Sequence, residues 1–242
     1  MKTLAPVQNQ FIESVLRLDP RIATFDCDGT LWSADAGEGF FSWELEQGVV
    51  SPEITRWARP RYADYRAGKV PEEIMCGEMV TMHRGLREDV VQQAAATYFN
   101  DRFVQNIFPE MQLLIERLHR AGCEVWAVSS TNLWVIQAAM KQFGVPQERI
   151  LAASALVQDG IITGQLIRVP SGPGKPEAVR EMVSRAPDCA FGNSIWDREM
   201  LAMANHAFAI NPNSDLKEIA TASGWTVYQP ENNQVASANP TA

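Results

Sequence analysis

Two hydrophobic periods alternate along this chain, and the places where they change divide it. Residues 8–18 put Phe11, Val15 and Leu18 on one face at helical spacing. Asp19-Pro20 ends that helix, and the apolar run over 21–27 reads as a buried strand. Between Leu31 and Phe108 the period is helical, with segments at 38–48, 52–67, 71–84 and 87–102. Ser51-Pro52-Glu53 and Val70-Pro71-Glu72 look like helix starts, with proline near the first turn. From Pro109 strand and helix alternate. Helix 109–121 closes at Gly122, strand 124–128 follows, and helix 132–143 closes at Gly144. A short strand at 150–153 leads to a hairpin turn within 158–164, and a glycine-rich loop opens a helix at 176–186. Strand 189–191, helix 197–204, strand 207–210, helix 214–222 and strand 225–228 complete the order. This alternation predicts an α/β protein with a mainly parallel sheet and helices on both faces. Residues 1–32 and 106–229 form the expected core, 33–105 a helical insert after the first strand, and 230–242 a polar, mobile tail.

Composition narrows the partners. The 242 residues carry a formal net charge of -8, which argues against a nucleic-acid or anionic-membrane partner. No apolar stretch is long enough to span a membrane, and the first 18 residues lack a signal-peptide core. The four cysteines, Cys27, Cys76, Cys123 and Cys189, are widely spaced, as reduced packing residues of a cytoplasmic protein would be. His83, His119 and His206 are scattered, so zinc is not expected. A monomer or weak homo-oligomer is the expected state.

The candidate chemistry begins at Asp26 and Asp28, where the first strand runs into Gly29 and Thr30. Two carboxylates at the mouth of an α/β sheet suit a magnesium and phosphate site, because ligands bind beyond the carboxyl ends of strands. A strand followed by an Asp-Gly turn is the alternative reading. Three further loops stand at element ends: Ser129 to Asn132, Gly174-Lys175, and Gly192 to Asp197. Together the four closely resemble the motifs of the haloacid dehalogenase (HAD) superfamily of phosphohydrolases, in the branch that includes phosphoserine phosphatase. The matching residues are Asp26-Cys27-Asp28-Gly29-Thr30, Ser129, Lys175 and Gly192-Asn193-Ser194-Ile195-Trp196-Asp197, in the family's order. The hairpin at 159–164 and Asn211-Pro212 resemble the same branch, and the likeness covers roughly residues 20–228.

The resemblance implies a Rossmann-like core, a helical cap domain at 33–105 and Mg²⁺-dependent hydrolysis of a small phosphorylated metabolite. It makes Asp26 the nucleophile, passing through an aspartyl-phosphate, and Asp28 the general acid and base. An acid at position 28 favours phosphate esters over halides, whose departure needs no proton. Thr30 would orient the first loop or contact substrate, or simply be a turn hydroxyl. Ser129 and Ser130 would bind phosphoryl oxygens, although a Ser-Ser-Thr-Asn run is also an ordinary helix cap. Lys175 would add positive charge for the phosphoryl group and Asp26. The implied metal set is Asp26, Asp28 through its backbone carbonyl, Asn193 and Asp197, with Asp197 acting through water or by orienting Lys175. Asn193 departs from the family, which usually has an acid there, and this predicts a weaker or altered metal site. A phosphate-binding protein with impaired catalysis, or a phosphotransferase, is the alternative function.

The insert would cover the cleft and choose the leaving group. Alignment by eye puts Asp35 where phosphoserine phosphatases hold the serine with a glutamate, and Met79 near their arginine position, which counts against phosphoserine. Phe40, Phe41, Trp43, Trp57, Tyr62 and Tyr65 offer two readings. They are either an aromatic cage for a quaternary ammonium, with Asp35 or Glu38 adding charge, or the packed core of the insert, since Phe40 with Trp43 and Trp57 with Tyr65 fall at helical spacing.

Overall fold

The structure is a computed structural model and describes residues 4–231. The expected tail lies outside the described residues from position 232 on. Helix α1 (Pro6–Leu16) precedes strand β1 (Ile22–Phe25). Four helices follow: α2 (Ala36–Gln47), α3 (Pro52–Arg66), α4 (Glu72–Thr81) and α5 (Glu88–Tyr98). The remainder is α6 (Pro109–Arg120), β2 (Glu124–Asn132), α7 (Leu133–Met140), β3 (Ile150–Gln158), β4 (Ile161–Arg168), α8 (Gly174–Met182), β5 (Cys189–Gly192), α9 (Arg198–Met203), β6 (His206–Ile210), α10 (Ser214–Ser223) and β7 (Thr226–Tyr228).

The seven strands lie in the order β4-β3-β2-β1-β5-β6-β7. Every pairing is parallel except β3 with β4. Strand β1 is central and buried on both faces, which is why Ile22 to Phe25 read as a continuous apolar run interrupted only by Thr24. Its register sets Phe25 beside Ala127 and Phe191. Phe25 stacks on Phe191 at 4.1 Å, and Phe191 on Phe208 at 4.7 Å, on one side of the sheet. Helix α6 covers that side with Met111, Leu114, Ile115 and Leu118, at the i, i+3, i+4, i+7 spacing of an amphipathic helix. Alternate residues Trp126, Ala190 and Ala209 face the other way, against Val179 of α8, Leu201 of α9 and Leu216 of α10.

Two strands exceed their expected length. Beyond Ala153, β3 leaves β2 and continues as an antiparallel partner of β4, so the hairpin is longer than its turn signal shows. Helix α5 stops at Tyr98 and passes into one π-helical turn, Phe99–Phe103. Helices α2–α4 bury a cluster of their own, which includes Phe41, Leu45, Val50 and Met75. The other side of α2, through Phe40, and helix α5, through Val91, Ala95 and Tyr98, join the main core. The link between α4 and α5 is tied to the hairpin by three backbone hydrogen bonds: Gly85 N–H to Ile162 O, Ile162 N–H to Leu86 O and Glu88 N–H to Gly160 O. Trp57, expected to pack with Tyr65, is 41% exposed, whereas Tyr65 packs on Tyr62. Among the described residues, no helix is long and apolar enough to cross a membrane.

Candidate active site

The chain order turns around at β1, since β2 lies on one side of it and β5 on the other. Loops leaving the carboxyl ends of these strands splay apart at such a point and leave a crevice. A cleft of about 560 Å³ lies there, lined by Asp26, Asp28, Ser129, Ser130, Lys175 and Asn193 among others.

Strand β1 ends at Phe25, and the N–H groups of Thr30 and Leu31 both turn back to the Cys27 carbonyl. The first loop is therefore folded on itself immediately after Asp26. Gly29 completes it with φ +77°, a left-handed conformation. A side chain at position 29 would also collide with Asn193, because a Cβ there would stand 1.9 Å from the Asn193 carboxamide nitrogen. The first and fourth loops thus meet at a position that only glycine fits.

Lys175 is 2% exposed and holds the loops together. It enters the crevice from the first turn of α8, and its Nζ donates to Asp26 Oδ1 at 2.6 Å, Asp197 Oδ1 at 2.5 Å and the Val128 carbonyl at 3.3 Å. Burial alone would lower the lysine's pKa, but Asp197 and Asp26 outweigh it and hold the pKa above the ordinary range. Burial pushes Asp26 up to about 7, with Asp197 adding to the rise while Lys175 and Thr30 oppose it. Two carboxylates and one ammonium leave one negative charge uncompensated in a buried setting.

Asp28 is held separately. Trp32 Nε1 and the Ala36 N–H donate to its Oδ1 at 2.7 and 2.6 Å, and Thr131 Oγ1 donates to its Oδ2 at 2.7 Å. Burial, with Asp35 nearby, nevertheless pushes it up to about 8, against those three hydrogen bonds.

Thr30 is fully buried, and its hydroxyl donates to Asp26 Oδ2 at 2.8 Å. Both oxygens of Asp197 accept hydrogen bonds. One accepts from Lys175, the other from the N–H groups of Asn193 and Ser194 at 2.9 and 3.0 Å. Gly192 leaves room for this turn, since a Cβ there would come within 2.5 Å of Asp197 Cβ. Asp35 lines the cleft while its Oδ1 caps α2 by accepting from the Glu38 N–H at 2.8 Å. Ser129 is nearly enclosed, and its Oγ accepts from the Thr131 N–H at 3.1 Å.

Trp32, Thr131, Glu72 and Ser171 were not anticipated. Trp32 and Thr131 flank recognised motifs, so their nearness to Asp28 was within reach of the sequence. Glu72, at the start of α4, accepts from Ser171 Oγ at 2.6 Å. No local pattern announces that bond, because it joins the insert to the loop before Lys175.

A buried lysine between two carboxylates, with a third acid held separately at the carboxyl end of a mainly parallel sheet, is the site of a phosphatase-type hydrolase. The family description "haloacid dehalogenase-like hydrolase" matches residues 23–202, and the chain belongs to that family. It is 28% identical over 218 residues to the "Inhibition of morphological differentiation protein" of Streptomyces azureus, covering 86% of this chain and 78% of that one. It is 23% identical to a histidinol-phosphatase of Neisseria meningitidis serogroup C (strain 8013), over 85% of this chain and 97% of that one. Among solved structures, a protein of unknown function from Bordetella pertussis Tohama I superposes with a TM-score of 0.76 at 21% identity, covering 86% of this chain and 97% of that one. A substrate-bound phosphoserine phosphatase superposes with a TM-score of 0.58 at 18% identity, covering 88% of this chain and 93% of that one. The fold is the phosphoserine-phosphatase-like one that the motifs implied.

Proposed function

We propose that this phosphatase hydrolyses a small phosphomonoester through an aspartyl-phosphate on Asp26, with helices α2–α5 acting as its cap. The observation that carries the reading is Lys175, buried and bonded to both Asp26 and Asp197 beside a cleft. A buried ammonium shared by two acids is costly to assemble, and it suits a site that must stabilise charge arriving with a substrate.

The donor set that the family motifs imply suits a hard cation: the Asp26 carboxylate, the Asn193 carboxamide oxygen and the main-chain carbonyl of Asp28 would all offer oxygen, beside a Lys175 triad with an unmatched negative charge. These residues would hold Mg²⁺, which when bound offsets repulsion between the ester and Asp26. Among the described residues, no three His, Cys, Asp or Glu side chains gather to hold a metal. The reading therefore gives Asn193 a neutral ligand's part and predicts weak metal binding.

Thr30 and Lys175 aim the Asp26 carboxylate. Its oxygen attacks phosphorus as the bond from phosphorus to the leaving oxygen breaks, and Asp28 passes its proton to that oxygen. A water then attacks the aspartyl-phosphate, Asp28 takes the proton back, and phosphate leaves with Asp26 restored. Asp197 keeps Lys175 in place through both steps, and Ser129 and Ser130 face the phosphoryl group.

The test is release of phosphate from a generic aryl phosphate with and without Mg²⁺, followed by a panel with phosphoserine, histidinol phosphate and phosphocholine. Asp26→Asn should lower kcat by about 10⁴-fold or more. Robust turnover in that variant would show the mechanism to be wrong. The neutral Asn193 favours one other reading, a phosphate-binding protein, and wild type that binds inorganic phosphate but turns over no ester would establish it.

A further inference from the structure

A smaller cavity of about 70 Å³ adjoins the phosphate cleft. Asp35, Glu38, Glu72, Ser130 and Thr131 line both spaces. Tyr62, Tyr65, Cys76 and Met79 lie only on the smaller one, and no Lys, Arg or His is among its lining residues. Arg66 approaches Glu38 to 3.6 Å from an exposed position outside this wall.

The direction of the reaction assigns a use to this space. On the phosphatase reading, a phosphoryl group at Asp26 and Lys175 turns its leaving oxygen toward Asp28, which lines the same cleft. Thr131 Oγ1 bonds Asp28 and also lines the small cavity. Whatever is attached to the leaving oxygen therefore continues into the chamber under α3 and α4. There it meets carboxylates and the rings of Tyr62 and Tyr65, whose centroids are 5.6 Å apart and inclined at 50°. A cation gains from both features, through charge and through the ring faces. A carboxylate gains from neither and is repelled.

Resting on the phosphatase reading, we propose that the substrate is the phosphate ester of an amino alcohol, with a compact ammonium group and no carboxylate. Glu72 is the specificity-determining residue. It is one of three acids that the insert delivers to the boundary of the two spaces, and the one whose bond to Ser171 at 2.6 Å ties an oxygen to the core. That second anchor on the core keeps the carboxylate from withdrawing with its own helix.

The experiment measures kcat/KM with Mg²⁺ for phosphoethanolamine and phosphocholine against glycerol 3-phosphate and phosphoserine, in wild type and Glu72→Gln, with thermal melting to verify folding. The expected result is a preference for the ammonium esters over glycerol 3-phosphate of about tenfold or more. In Glu72→Gln that ratio should collapse by a similar factor, mainly through KM of the ammonium esters. Equal or better use of glycerol 3-phosphate or phosphoserine by wild type overturns the proposal, as does an unchanged ratio in a folded Glu72→Gln. Turnover of the aryl phosphate with no preference among the esters defeats this inference alone. Failure to turn over any ester defeats the phosphatase reading with it.

Discussion

Two buried ionic clusters in this molecule are built from similar parts and do different work. At the mouth of the sheet, Lys175 is clamped between Asp26 and Asp197. Within the insert, His83 Nε2 meets Glu44 Oε2 at 2.6 Å, with His83 0% and Glu44 1% exposed. The second cluster is closed. The other ring nitrogen of His83 donates to the Val80 carbonyl at 3.0 Å, and Phe40 and Trp134 pack against the ring. It pairs one base with one acid and opens onto neither described cavity of the site. The first cluster holds one acid too many and faces a cleft. Burial and a short ion pair are therefore no mark of function by themselves. Unequal charge with access to solvent is the more telling combination.

Between the two clusters, the largest effect on stability should come from Lys175→Met. Removing the ammonium leaves Asp26 and Asp197 facing each other, which should cost about 3–5 kcal/mol of stability by denaturant titration. The folded fraction should also lose about 10²–10³-fold in kcat. A variant as stable and as active as wild type would remove the contrast between the two clusters.

His83→Leu should cost about 3 kcal/mol, because it strands the Glu44 carboxylate, yet leave kcat of the folded protein near wild type. Loss of turnover at full stability would make this cluster part of the site. The pair also carries a pH signature. Burial lowers the His83 pKa, but Glu44 outweighs it and the net shift is upward from 6.5, while burial raises Glu44 from 4.5. A raised folded pKa gives stability that is complete below the unfolded value and fades as pH rises through the folded one. The denaturant midpoint should therefore decline as pH climbs above 6.5, and decline less in a Glu44→Gln/His83→Gln double variant. A midpoint that rises over that range would contradict the assigned directions.

The smallest effect sharpens the comparison from the other side. Asn193→Asp adds a further acid to the open cluster and should tighten Mg²⁺ by roughly tenfold, about 1.4 kcal/mol, in a titration of activity against Mg²⁺. An unchanged titration would take Asn193 out of the metal's surroundings.

Much of this was legible from local pattern. The strand ending at Asp26, the loops at Ser129, Lys175 and Asn193, and the long helical insert all announce themselves by periodicity and motif. What could not be read were the partners chosen across the fold. Thr30 and Asp197 stand in the expected loops, but only packing shows that the hydroxyl of one reaches Asp26 and that the other accepts from two N–H groups as well as from Lys175. Glu72 and Ser171 belong to different parts of the chain, and neither has a signal of its own. Helical spacing paired Trp57 with Tyr65, yet spacing fixes a face and not what covers it, and Trp57 faces outward.

The central place of β1 also bears on how the protein is made. Phe25 lies in the first strand of the sheet to be synthesised, but its neighbours Ala127 and Phe191 come far later, the second after the whole insert and three more strands. Pairings of that range are slow to close and arrive late in folding. The strand that leads into Asp26 is thus the first of the sheet begun and among the last paired, so a nascent or truncated chain holds Asp26 without the lysine bonded to it.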